Sequence, residues 1–102
     1  NPTLQFNFEW DPYKAGQNLQ KHKVSFEQAA EVFLDPLAIS IYNGEHSLDE
    51  DRWITIGKDQ TNLILVVIHT FLEENVDNCR IRVISARKAR KKEVKQYEGV
   101  KL

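Results

Sequence analysis

The chain has 102 residues, 41% hydrophobic and 28% charged, with 14 Lys/Arg against 15 Asp/Glu. That length fits one compact domain, residues 1–102, of ordinary globular composition. The single cysteine, Cys79, excludes an intramolecular disulfide and a Cys-rich zinc site, and the longest apolar run, LILVVI at 63–68, is too short to span a bilayer.

The opening segment NPTLQFNFEW has neither the basic nor the apolar region of a signal peptide, which with the lone cysteine suits a cytoplasmic protein. Within it, Leu4, Phe6, Phe8 and Trp10 alternate with polar residues, the period of a half-buried strand. Asp11-Pro12 then reads as an N-cap followed by proline at the first helical position, and the helix runs to about His22. Ser25 and Gln28 have the spacing of a capping box, and Phe26, Ala29, Ala30 and Phe33 continue at helical spacing until Asp35-Pro36 stops them.

Strand texture follows. LAISIY (37–42), RWITIG (52–57), LILVVIHT (63–70) and CRIRVIS (79–85) are rich in Ile, Val and aromatic residues, and short polar links between them favour an antiparallel meander. ARKARKKEVKQYEG reads as a last helix from about Ala86 to Glu98, with Gly99 as its stop. The expected fold is α+β, in the order β-α-α-β-β-β-β-α: an antiparallel sheet with two N-terminal helices and a C-terminal helix.

The charge is divided along the chain. Residues 1–79 hold 5 Lys/Arg and 13 Asp/Glu, a net of −8, whereas residues 80–102 hold 9 and 2, a net of +7. Such a basic segment suits an anionic partner. Projected as a helix at about 100° per residue, Arg87, Lys88, Lys91, Lys92 and Lys95 share one arc. In the preceding strand, alternation places Arg80, Arg82 and Ile84 on one face and Ile81, Val83 and Ser85 on the other. Two guanidinium forks on one face make a phosphate clamp, or else they pair with carboxylates on a solvated face.

Three histidines, His22, His46 and His69, complete the set of proton-transfer candidates. His69 reads either as a general acid or base or as a hydrogen-bonded residue at a strand end. No HExxH, Walker loop, GxSxG or GxGxxG is present, and the acidic loop EHSLDED reads as solvated, so no metal and no cofactor is expected. Histidines beside arginines suit metal-independent RNA cleavage, in which a ribose 2′-OH attacks the adjacent phosphate. Two other readings use the same basic face: a non-catalytic nucleic-acid-binding module, and an interaction domain that docks an acidic protein.

FEWDPYKAGQNLQKHKVSFEQAAEVFLDPLA, EHSLDEDRWITIG, VVIHT and RIRVISARKARKKEVKQYE, taken together and in order, resemble the BrnT family, toxins of bacterial type II toxin-antitoxin modules. The resemblance implies a RelE-like fold and ribonuclease activity that slows translation. It also implies a BrnA-like antitoxin with a ribbon-helix-helix DNA-binding region, and operator binding only through the complex of the two. Carried over by position, it implies Arg82 and Arg87 for phosphate and transition-state charge, His69 for proton transfer, and Arg52 and His22 in support. Ser85 also lies in a matched block, and with Arg80, Lys88, Lys91, Lys92 and Lys95 of the basic strand and helix face it makes the set of candidate RNA contacts. Two departures stand out: Lys23 where the family usually has glycine, and a longer, more acidic loop FLEENVDN after the HT dipeptide.

Overall fold

The computed structural model of the chain describes residues 4–44 and 51–99. His46 and most of the acidic loop therefore lie outside the described residues. The elements in order are β1 (Gln5–Glu9), α1 (Pro12–His22), α2 (Phe26–Glu31) continued by a 3-10 turn (Val32–Leu34), β2 (Ile39–Tyr42), β3 (Arg52–Lys58), β4 (Ile64–Thr70), β5 (Leu72–Asn75), β6 (Asn78–Lys88) and α3 (Lys91–Glu98). The architecture is α+β with a mostly antiparallel six-stranded sheet. Among the described residues no helix is long and apolar enough to cross a membrane.

The helix starts follow their capping chemistry. The Asp11 side chain accepts from the Tyr13 N–H at 2.9 Å, with Pro12 opening α1. Ser25 Oγ accepts from the Gln28 N–H at 3.0 Å, but the Gln28 amide turns away to Asp59 Oδ2 (2.7 Å), so only half of a capping box forms. The loop at Asp59 is closed by that carboxylate, which also accepts from Thr61 and from the Leu63 N–H. α1 ends at Lys23, which stands in the left-handed region at φ 60°, ψ 28° and donates its N–H to the Leu19 carbonyl. The glycine-like geometry is therefore kept with a lysine in place.

β6 is the centre of the sheet, which runs β1-β6-β4-β3-β2 with β5 also on β6. Its N-terminal half is flanked by β5 on one side and by β1 on the other, and β1 runs parallel to it, Phe6 opposite Cys79 and Phe8 opposite Ile81. β5 is an extra strand within the segment read as a loop; its Leu72, Glu73 and Asn75 pair with Arg80, Cys79 and Asn78. β6 also runs three residues past the C-terminal end that the strand texture indicates. Leu65 and Val66 of β4 pair with Lys88 and Arg87, which draws ARK into the sheet and delays the last helix to Lys91. The projection that set Arg87 and Lys88 on one helical arc with Lys91, Lys92 and Lys95 is thus corrected.

One face of the sheet is covered by α2 and the turn after it. Phe26, Ala29 and Val32 pack there with Leu65, Val67, Val83 and Ala86, all buried. Gly57 lets the 3-10 turn approach, since a Cβ on it would lie 2.8 Å from Val32 Cγ1 and 2.9 Å from Ala38 Cβ. α1 buries only one side chain, the polar Asn18, so its seat rests on hydrogen bonds more than on apolar area. Asn18 Nδ2 donates to the carbonyls of Val24 and Ala86, both at 2.9 Å, and its Oδ1 accepts from the Ala86 N–H at 3.2 Å. Here a side-chain amide takes the place of a neighbouring strand along β6.

The opposite face meets α3. The Arg87 guanidinium donates twice to Glu93, Nη1 to Oε1 and Nη2 to Oε2, each at 2.7 Å, and Glu93 also accepts from the Arg90 N–H. Tyr97 donates to Asp35 Oδ2 at 2.6 Å, while the Lys58 ammonium stands 5.9 Å from the Tyr97 ring centroid. Burial would raise the Asp35 carboxyl, but hydrogen bonds from Tyr97 and from the Lys58 and Leu37 N–H groups hold it below its usual value. That same hydrogen bond, with burial, pushes the Tyr97 hydroxyl up to about 12.

Candidate nucleic-acid interface

The placement of the basic side chains depends on one irregularity. Between Ile68 and His69 the β4–β6 register shifts: His69 lies opposite Val83 but Ile68 lies opposite Ser85, and Ile84 is the extra residue of a bulge. Strict alternation would send Ser85 to the face of Val83. The bulge instead returns it, with Arg87, to the face that carries Glu9 and Arg82. The sequence reading of Ser85 is corrected accordingly.

On that face the surface forms three adjoining grooves with shared walls. Arg52 and Arg82 line one of them, with Asp11, Lys14, Val83 and Ile84. Through Lys14 and Ile84 it meets a second groove, lined by His22, Ser85, Gln17, Asn18 and Lys21. Through Arg82 it meets a third, lined by Arg80, Thr70, Phe71, Leu72, Glu9 and Asp51. Thr70 also fixes the strand here, its hydroxyl accepting from the Arg82 N–H at 3.2 Å.

Four residues expected in the site, Arg52, Arg82, His22 and Ser85, are thus brought to one continuous surface. α1 adds Lys14 and Lys21, which the sequence reading passed over. Their signal was the i, i+3, i+7 spacing of Lys14, Gln17 and Lys21, one stripe of a helix that ends in His22.

The remaining expected residues are placed otherwise. His69 lies on the helix-covered face, 2% exposed, its ring edge-on to Phe33 at 4.8 Å. Its Nδ1 is 2.8 Å from the Thr70 carbonyl, which can only accept, so Nδ1 carries the proton. Its Nε2 is 2.6 Å from Thr55 Oγ1, itself 2.8 Å from Ser40 Oγ. Burial lowers the His69 pKa, against a smaller opposing effect of the Thr70 hydrogen bond.

Arg87 has both arms on Glu93. That hydrogen bond raises the guanidinium's pKa and holds the Glu93 carboxyl below its usual value. Arg80 pairs with Glu9 at 3.3 Å and Glu74 at 2.9 Å, the carboxylate pairing considered for a solvated face. Lys88, Lys91, Lys92 and Lys95 are exposed, the first at the end of β6 and the others on α3.

A small α+β fold that gathers Lys14, Lys21, Arg52 and Arg82 on one surface suits an anionic partner. Residues 10–93 match the family model described as the ribonuclease toxin BrnT of type II toxin-antitoxin systems. The chain belongs to the BrnT family of ribonuclease toxins. Among solved structures it is similar to the 1.1 Å crystal structure of the Brucella abortus ribonuclease toxin BrnT, at 26% identity and a TM-score of 0.60. The match covers 85% of this chain and all of that one. Comparison with curated protein sequences gives no significant match.

Proposed function

We propose that the chain is an endoribonuclease that cuts RNA on the face where Arg52, Arg82, Lys14, His22 and Ser85 meet. The observation that supports this most is the shared wall of Lys14 and Ile84, which joins the arginine groove to the histidine groove. A phosphodiester held against Arg82, Arg52 and Lys14 has three cations around it. The 2′-OH of the preceding ribose attacks the phosphorus, the 5′-oxygen of the next nucleotide leaves, and a 2′,3′-cyclic phosphate remains. Charge that grows on the non-bridging oxygens is met by the guanidinium forks, which are always protonated. His22, half-buried at the end of α1, is within the same surface to take the 2′-OH proton or to return one to the leaving oxygen. Ser85 contributes a hydroxyl donor to a phosphate oxygen.

Because these cations can themselves balance the developing charge, the proposed cleavage needs no metal. His69 and Arg87 hold the sheet and α3 in this reading, and Arg80 with the exposed lysines of β6 and α3 serves long-range attraction of RNA. The biological partner is proposed to be a BrnA-like antitoxin of the ribbon-helix-helix class that covers the cationic face, with operator DNA bound only by the complex. RNA cleavage by the free toxin then lowers translation in the cytoplasm.

The test is incubation of the purified chain, freed of any co-purifying partner, with RNA in EDTA. Cleavage that ends in cyclic phosphate is expected. Intact RNA under conditions of measured binding assigns the face to a non-catalytic nucleic-acid-binding module instead. Absence of any salt-sensitive RNA affinity favours an acidic protein as the occupant.

A further inference from the structure

A cavity of about 220 Å³ lies on the helix-covered side of the sheet, beyond the end of the arginine groove. Phe6 of β1, Phe33 of the 3-10 turn, Trp53 of β3 and Phe71 of the β4–β5 link wall it, with Ser40 and His69. The volume is below the roughly 300–1,000 Å³ of sites for drug-sized ligands, a size for one flat group. The aromatic walls are mutually braced: Phe6 and Phe33 are 6.1 Å apart and Trp53 and Phe71 6.4 Å apart, centroid to centroid. Phe71 is nevertheless 40% exposed.

Two features say what the cavity takes. First, Phe71 is also a wall of the groove that holds Arg80 and Arg82, so the aromatic cavity opens beside the phosphate-directed surface. Second, the polar group at its rim has a fixed sense. Because His69 Nδ1 donates to the Thr70 carbonyl, the bare Nε2 accepts from Thr55, and Thr55 in turn accepts from Ser40. The Ser40 proton is thereby committed inward, and its lone pairs are what it offers to a guest. That acceptor suits the N–H edge of a nucleobase, whose flat face also suits the aromatic walls.

We propose that this cavity is a nucleobase subsite, stacking one base of the RNA between its aromatic walls while a phosphate of the same strand lies against Arg82. The proposal rests on the RNA reading above and adds where the strand is held by a base. Ser40 then reads the amino or imino edge of that base, and Phe71 links the base site to the phosphate track.

The experiment uses the full chain carrying Trp10→Phe, so that Trp53 is its only indole. Two end-labelled probes are titrated: a single-stranded 2′-O-methyl oligoribonucleotide, which cannot be cut by 2′-OH attack, and an abasic oligomer of equal length and charge. The expected result is quenching of Trp53 by the first probe and none by the second, at concentrations where anisotropy shows both bound. Phe71→Ala, at an exposed position, should weaken the base-bearing probe about tenfold and leave the abasic probe unchanged. Equal binding of both probes by the parent and by Phe71→Ala would overturn the proposal. So would quenching of Trp53 by a co-expressed antitoxin with none by the base-bearing probe, which assigns the cavity to a protein anchor. Cleavage of ordinary RNA is scored separately. Cleavage without a Phe71 effect defeats only the base subsite, and a Phe71 effect without cleavage defeats only the nuclease reading.

Discussion

Asn18 and Ala86 are joined twice, the side-chain amide donating to the Ala86 carbonyl at 2.9 Å and accepting from its N–H at 3.2 Å. A third bond from the same amide, to the Val24 carbonyl, ties the α1–α2 connection to β6. Asn18→Ala would leave these buried backbone groups without their partners. The expected loss is about 3 kcal/mol of unfolding free energy, read by urea denaturation. Because this amide also seats Lys14, Lys21 and His22 beside Ser85, RNA cleavage should fall as well at temperatures where the variant is folded. A loss below about 1 kcal/mol would show that water replaces the amide without penalty.

The two arginines assigned similar roles from sequence should separate on mutation. Arg82→Ala, at the junction of two grooves, is expected to lower RNA cleavage about a hundredfold, to abolish toxicity in cells, and to leave antitoxin binding and thermal stability nearly unchanged. Arg87→Ala breaks the paired hydrogen bonds to Glu93 and should cost about 1–2 kcal/mol of stability, with a smaller effect on cleavage below the melting transition. Matched losses of cleavage in both variants, with stability intact, would return Arg87 to the catalytic surface.

Lys23 stands at φ 60°, where a Cβ is disfavoured. Lys23→Gly is expected to stabilise the fold by about 1 kcal/mol, despite the greater freedom of glycine in the unfolded chain. Thermal denaturation in parallel with the parent chain measures it. A lower melting temperature would mean that the lysine side chain contributes more than its backbone strain removes.

Stability should also fall on mild acidification. The folded pKa of His69 is depressed by burial, so at pH values below about 6.5 the unfolded chain takes up a proton that the folded chain resists. Its contribution is therefore present above that pH and is lost as pH falls toward the folded pKa. The depressed carboxyls of Asp35, Asp59 and Glu93 act in the same direction but at lower pH. In His69→Gln the upper part of this acid limb should vanish while the carboxylate part remains. An unchanged limb in denaturation profiles between pH 7 and 5 would place the titration elsewhere.

Much of the fold was legible because local chemistry and tertiary context agree. Asp11-Pro12, Ser25 and Gly99 mark helix ends where the structure has them, and β2, β3 and β4 follow their Ile/Val runs closely. The failures share a cause, which is pairing at a distance. ARKARK has good helix formers, but β4 offers Leu65 and Val66 as partners and the backbone stays extended through Lys88. FLEENVDN is polar enough for a loop, yet β6 supplies the edge that makes β5. In the candidate site, Arg52 and Arg82 line one groove, and Arg52 came from the family resemblance where charge and spacing carried no signal for it. His69 keeps two readings in the sequence because periodicity does not tell which face of a sheet the helices cover. Lys14 and Lys21 stand in the acidic part of the chain, where net charge conceals a local cationic stripe.

The extra residue at Ile84 acts as an inversion of parity. Up to Val83 one parity of residue number belongs to the covered side of β6 and the other to the open side; from Ser85 onward the assignment is exchanged. Deleting Ile84 would therefore leave strict alternation behind it, with Val83 and Ala86 still covered and Ser85 and Arg87 still open. A one-residue insertion or deletion in the regular part of β6 past the bulge is different. It would bring a hydroxyl or a guanidinium into the packed layer, as a change of length in a surface connection would not.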